Sequence, residues 1–324
     1  MFDVVALGEL LIDFTPAGYS AAGSPIFEAN PGGAPANVLA AVSKLGGKSA
    51  FIGKVGDDRF GHFLEEVLKS YGIDTAGLTF SDSVNTTLAF VHLDPRGERS
   101  FSFYRNPGAD IMLDVRDIKP EIIADAKIFH FGSLSLTHEP ARSATLYALD
   151  LAKKYKKIIS YDPNWRPLLW KDDTAAQEGM SLGLQHADIV KLSEEEMEFL
   201  TGETDLEKGS GKLFDMGIKL VQVTMGENGC FYRCSSATGY VKAYDVRVLD
   251  TTGAGDAFMG ALLWCISKND LKPDEITHAE LEKIVDFSSA AGGLCTTKRG
   301  AIPAMPYFEE IISCMKNVPK KKIQ

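Results

Sequence analysis

No apolar run in this chain comes near the roughly 20 residues that a membrane helix requires. Its first residues, Met1-Phe2-Asp3, carry neither a basic segment nor a long hydrophobic stretch, so a secretory leader is not expected. Cysteine is scarce, with five residues at positions 230, 234, 265, 295 and 314. A chain of 324 residues needs no disulfide staple, and Cys230 and Cys234 have no second Cys or His pair nearby to complete a zinc site. Reduced, buried thiols in a cytoplasmic protein are expected. Positive charge is in deficit: 34 Lys and Arg face 44 Asp and Glu, a net charge of −10. That balance excludes a nucleic-acid binder as the first reading, but local positive potential can still hold an anionic nucleotide. The six histidines are scattered and no H-E-x-x-H occurs, so metal hydrolysis is not expected, nor is a serine nucleophile elbow. Gly47-Lys48-Ser49 offers the end of a P-loop, but Val42 stands where its first glycine belongs. The first strand runs into Gly8-Glu9-Leu10, which is no dinucleotide turn.

What is present is an alternation. Short apolar runs at Val4–Leu7, Ser49–Lys54, Ile128–Phe131, Ile158–Tyr161, Asp188–Leu192 and Leu220–Thr224 read as buried strands. Helical patterns lie between them, at Asn37–Leu45 and where Phe60, Phe63, Leu64, Val67, Leu68 and Tyr71 recur. This predicts an α/β fold, Rossmann-like, with a mostly parallel central sheet flanked by helices. One domain over 1–324 is expected. Two stretches break the rhythm. Ser83–Tyr104 alternates in strand fashion around a turn at Asp94-Pro95-Arg96-Gly97, and Leu11–Pro31 is rich in Gly, Ala and Pro. Both are expected to rise off the sheet as a small β lid, mainly 11–31 and 83–108, or to serve as a subunit contact; the two roles are compatible. Cys230–Arg233 and Tyr240–Val248 suggest antiparallel additions. Gly255–Ser267, Glu280–Leu294 and Tyr307–Met315 read as helices, and Lys320-Lys321-Lys322 as a solvated tail.

The strongest chemical signal is Asp250-Thr251-Thr252-Gly253-Ala254-Gly255-Asp256, which opens an apolar helix. Gly253, Ala254 and Gly255 would bring backbone N–H groups to a helix N-terminus, where phosphate is attracted. Asp256, in the first turn, could take a proton from a hydroxyl attacking phosphorus. The plainer reading is a tight turn with an acid complementing the helix dipole. Pro31-Gly32-Gly33-Ala34-Pro35-Ala36-Asn37 is weaker alone: two glycines before a helix, with an amide able to hold a polyol.

Together these two segments resemble the signature motifs of the ribokinase-like (PfkB) family of carbohydrate kinases. The resemblance runs from Gly8-Glu9-Leu10-Leu11-Ile12-Asp13 to Gly300-Ala301-Ile302-Pro303. Phe103–Asp110 and Asp162-Pro163-Asn164-Trp165-Arg166 look most like fructokinases. It implies ATP-dependent phosphorylation of D-fructose to fructose 6-phosphate, with Asp256 as base and Gly253–Gly255 as anion hole. It also implies sugar contacts at Asp13, Gly33 and Asn37, with Arg105 as a lid residue near the sugar or its phosphate. Asp162, Asn164 and Arg166 match positions near sugar and phosphates. Thr224, Gly226 and Gly229 match the nucleotide loop, and Ser289 the adenine pocket. Asp250 and Thr252 match a site holding K⁺. Where the family carries Asn-x-x-Glu near Mg²⁺, the sequence reads Lys191-Leu192-Ser193-Glu194. Glu194 is expected to orient magnesium-bound water and Lys191 to meet a phosphate. The rival readings are a 2-keto-3-deoxygluconate kinase and, outside enzymology, a catalytically silent sugar-binding scaffold. A homodimer through the lid is possible; neither nucleic acid nor membrane is an expected partner.

Overall fold

The computed structural model describes residues 1–93 and 99–321. The expected turn at Asp94–Gly97 lies outside them. Strand β1 (Phe2–Leu7) is followed by β2 (Leu11–Tyr19), β3 (Pro25–Gly32), α1 (Ala34–Lys44), β4 (Ser49–Gly56), α2 (Arg59–Ser70) and β5 (Ile73–Ser81). Then come β6 (Leu88–Leu93), β7 (Arg99–Tyr104), α3 (Pro120–Ala124), β8 (Ala126–Gly132), α4 (Ala141–Lys154), β9 (Ile158–Asp162) and α5 (Asp173–Leu184). The rest is β10 (Ile189–Ser193), α6 (Glu194–Thr201), α7 (Leu206–Asp215), β11 (Leu220–Thr224), β12 (Cys230–Arg233), β13 (Thr238–Val241), α8 (Ala254–Lys268), α9 (His278–Cys295) and α10 (Phe308–Asn317).

Nine strands form the main sheet in the order β13-β12-β11-β10-β9-β8-β1-β4-β5. Neighbours from β11 to β5 pair in parallel; β12 and β13 add antiparallel. The chain leaves β1 first toward β4 and later toward β8, so β1 sits at the switch point, where open α/β sheets leave a crevice at the strand ends. Alternation along β1 explains the two cores. Val4 and Ala6 pack with Val38, Leu39, Leu262 and Ile284 of α1, α8 and α9. Val5 and Leu7 pack with Ile123, Ala148, Met197 and Leu213 on the other side.

The two stretches that broke the rhythm form a second sheet, β3-β2-β6-β7. Each is a hairpin, but the central pair β2·β6 is parallel. One face carries aromatic residues: Phe14 stacks on Phe90 at 4.7 Å between centroids and meets Phe60 of α2 edge-on at 5.7 Å. The other face turns Asp13, Thr15, Glu28, Asn30 and Phe103 toward the strand ends of the main sheet.

Three local expectations change. Helix α1 begins at Ala34 rather than Asn37, because Pro35 suits a first helical turn. The strand expected over Tyr240–Val248 stops at Val241. Beyond it the chain bonds to the C-terminal segment instead, through the Tyr244–Lys320 bridge and Asp245 N–H to Pro319 O. Two lysines of the expected tail are therefore not free: Lys320 pairs with Asp286 at 2.7 Å and Lys321 with Glu227 at 2.9 Å, while Lys322 lies outside the described residues. A Gly-x-Ser-x-Gly run, Gly179 to Gly183, lies wholly within α5 and makes no strand-to-helix elbow. All five cysteines are free and buried.

Candidate active site

Between the small sheet and the ends of β1, β10 and α8 lies a cavity of about 450 Å³. Its wall includes Asp13, Gly33, Asn37, Asn164, Arg166, Lys191, Asp250, Thr252, Gly253, Gly255 and Asp256. Most of the residues singled out in the sequence are thus brought together from elements far apart in the chain.

Helix α8 starts here. Gly253 is its N-cap in the left-handed region (φ 78°), with no side-chain cap on the first N–H groups. That leaves the helix end without a side-chain partner at the cavity wall, where Gly253 and Gly255 stand. Asp256, in the first turn, accepts a hydrogen bond from Asn37 Nδ2 at 2.8 Å. Burial, with the charge of Asp162 adding to it, pushes its carboxyl up to about 6; Lys191, Asn37 and Arg166 oppose the rise. Asp13, on β2, is likewise raised to about 6 by burial, against the pull of Arg166. Two carboxylates that lose protons near neutrality line one cavity, and Asn37 orients one of them.

Lys191 emerges from β10 and is buried, its Nζ 2.6 Å from Asp162 Oδ2. Burial alone would lower the ammonium; the charges of Asp162, Glu196 and Asp256 outweigh it and hold it above its usual value. A Cβ at residue 255 would meet Nζ at 2.8 Å, so glycine there keeps the ammonium beside the start of α8.

Several expected residues stand elsewhere. Asp162 is buried behind Lys191 rather than in the wall. Arg105 does not reach the cavity. Its guanidinium is buried against Asp110 at 2.7 Å and donates to Leu134 O and Thr137 Oγ1. Glu194 is exposed on the first turn of α6, and the buried acid of that segment is Glu196, three residues after the N-cap Ser193. Glu196 accepts from the Ser193 and Trp165 N–H groups at 2.8 and 2.6 Å. Thr224 ends β11, its hydroxyl donating to Leu192 O at 3.1 Å; Gly226 and Gly229 form the following turn, and Ser289 is buried on α9. Thr224, Gly226 and Gly229 continue the same sheet edge, and none of the four stands in the cavity wall. Asp250 accepts from Thr252 N–H, Thr252 Oγ1 and Gly300 N–H, tying two loops together. Missed by the sequence reading were Glu9, Glu28, Asn30 and Arg299 in the wall. For Glu9 the usable signal was its position just past the central strand.

The model of the pfkB family carbohydrate kinases matches residues 1–307. The chain belongs to that family. As a carbohydrate kinase it is 48% identical over 318 residues to "Fructokinase-2" of Oryza sativa subsp. japonica, covering 96% of this chain and 94% of that protein. The fructokinase of Xylella fastidiosa with bound ATP superposes with a TM-score of 0.89 at 33% identity, over 98% of this chain and 99% of that one. The fructokinase of Vibrio cholerae O395, solved with fructose, ADP and calcium, gives 0.87 at 35% identity over 96% and 98%. Among the described residues no helix is long and apolar enough to cross a membrane.

Proposed function

We propose that this kinase transfers the γ-phosphoryl group of ATP to the 6-hydroxyl of D-fructose. One observation carries the reading: Asp256, raised to about 6, sits in the open first turn of α8 and is held by Asn37 in a cavity lined with polyol-binding groups. Asp13 and Asn37 hold sugar hydroxyls, the charged hydrogen bond to Asp13 contributing about 1.5–3 kcal/mol and the neutral one to Asn37 about 0.5–1.5 kcal/mol. Asp256 takes the hydroxyl proton as oxygen attacks phosphorus in line. The N–H groups of Gly253 and Gly255 and the ammonium of Lys191 meet the charge spreading over the phosphoryl oxygens, whereas the expected third N–H, of Ala254, donates to Thr251 O and lies outside the wall. Thr224, Gly226, Gly229 and Ser289 lie where the nucleotide would extend along the sheet edge. The small sheet closes over the sugar and keeps water from competing.

A divalent ion fits as a companion of the nucleotide. The described residues hold no preformed cluster of metal-ligating side chains, and Mg²⁺ keeps several waters and takes one or two carboxylates with substrate phosphates. Asp162 Oδ1, buried behind Lys191 and without a hydrogen-bond partner among the described residues, would supply such a carboxylate oxygen, whereas Glu194 is exposed. Such an ion neutralises phosphate charge. The loops tied by Asp250, Thr252 and Gly300 offer oxygen donors of the kind K⁺ takes. The five free thiols suit a cytoplasmic enzyme, and exposed Tyr19, Ile26 and Tyr104 on the small sheet suit a homodimer contact.

The guanidinium of Arg105 is satisfied by Asp110 and supplies no cation for the carboxylate of 2-keto-3-deoxygluconate, but Arg166 and Arg299 stand in the wall, so the substrate assay decides between the two sugars. Coupled ADP release measured with fructose, ribose, 2-keto-3-deoxygluconate, adenosine and mannose tests the reading. Fructose should give the highest kcat/KM. Preference for the sugar acid would make the chain that kinase instead, and ADP release indifferent to every sugar would leave a scaffold. In the same assay Asp13→Ala should raise the KM for sugar at least tenfold with kcat little changed; an unchanged KM removes Asp13 from the pocket.

A further inference from the structure

Glu9 lies two residues past the end of β1, at the switch point of the main sheet. It is 4% exposed and forms part of the cavity wall. Its Oε1 accepts from the Ala34 N–H, the first residue of α1, at 2.9 Å. Its Oε2 is buried and has no hydrogen-bond partner among the described residues. Asn37 Oδ1, one turn further along α1, is in the same condition. The two chain segments are packed closely at this point: Gly33 (φ 117°) lies so near that a Cβ there would fall 2.3 Å from the backbone carbonyl oxygen of Glu9. A glutamate needed only to cap α1 would use one oxygen and leave the other to solvent. Here the second oxygen is enclosed at the wall of a cavity whose expected occupant is rich in hydroxyls, the groups that complete buried polar atoms.

We propose that Glu9 is a specificity-determining residue, its Oε2 forming a hydrogen bond with one hydroxyl of the bound sugar. The inference rests on the sugar-kinase reading above. Burial raises this carboxyl to about 7, with its own backbone N–H and then that of Ala34 opposing the rise, Asp110 adding to it and Arg105 countering. Asp13, Glu28, Asp250 and Asp256 are the other acids of the wall. Both protonation states serve: the carboxylate accepts from the hydroxyl, and the acid donates to its oxygen.

The test is a deoxy-sugar series on wild type and Glu9→Gln, using the best substrate from the panel. Glutamine keeps an oxygen for Ala34 N–H. It should lower kcat/KM roughly ten- to a hundredfold, chiefly through KM. One deoxy analogue, costly for wild type, should cost Glu9→Gln little more than the parent sugar. A variant with wild-type KM and an unchanged deoxy pattern overturns the proposal and leaves Glu9 as a cap alone. Carboxyl ¹³C NMR of the wild-type enzyme needs no variant. A glutamate signal titrating near 7 that shifts on sugar addition supports the contact; one indifferent to sugar overturns it. A wild-type enzyme that phosphorylates no sugar refutes the kinase reading itself, which separates the two failures.

Discussion

Asp256→Asn should lower kcat by about 10²–10⁴ and leave the KM for sugar nearly unchanged, as loss of a general base does. The substitution is nearly isosteric, and its carbonyl oxygen can still accept from Asn37 Nδ2, which now bonds the carboxylate at 2.8 Å. Geometry is kept and basicity is lost. The sign of the pH effect follows from the direction of the shift. Asp256 must be ionised to act, and its carboxyl is raised to about 6 by burial and the charge of Asp162. Wild-type kcat should therefore hold above pH 6 and fall about tenfold for each unit below it. Asp13, also raised to about 6, should show its protonation in KM instead. In Asp256→Asn the acid limb of kcat should vanish. Steady-state kinetics from pH 5 to 8 on both proteins reads all of this. A variant with full rate, or one that keeps the limb, would mean another group takes the proton.

The framework was legible because strand and helix periodicities are local. Each buried run from Val4–Leu7 to Leu220–Thr224 became a parallel strand, and the glycine-rich helix start at 253–256 became the open end of α8. What local pattern cannot carry is where a side chain turns. Arg105 looked like a cation bound for the substrate, yet Asp110, five residues on, takes it inward. Glu194 and Glu196 are indistinguishable in an acidic run. Only the capping box at Ser193 sends one into solvent and folds the other back to the chain. Glu9 has no local pattern of its own to single it out; its place follows from the sheet order, which puts β1 at the switch point. The segment after Val241 was taken for strand because its apolar residues suit one, but the partner it found was the C-terminal segment, distant in sequence.

The pair Lys191–Asp162 departs furthest from ordinary burial rules, and removing half of it should separate stability from catalysis. Both side chains are nearly inaccessible, at 9% and 2% exposure, and their charged atoms lie 2.6 Å apart. Lys191→Met leaves the Asp162 carboxylate buried without its partner. That should cost about 3–5 kcal/mol in denaturant unfolding. Adding Asp162→Asn removes the stranded charge and should restore most of the loss. Activity should not return with it, because the double variant lacks both the ammonium and the carboxylate proposed to meet the metal. Lys191 Nζ lies beside the backbone of Gly255, where phosphoryl charge develops in the proposed reaction. Losing such a preorganised cation costs roughly 10²–10³ in kcat. The pH profile supplies an independent sign. Lys191 lowers the Asp256 carboxyl while Asp162 raises it, so Lys191→Met should move the acid limb above pH 6 and the double variant should bring it part of the way back. If the double variant recovers rate along with stability, the ammonium serves only to neutralise Asp162, and the phosphoryl group is held by the helix end and its metal alone.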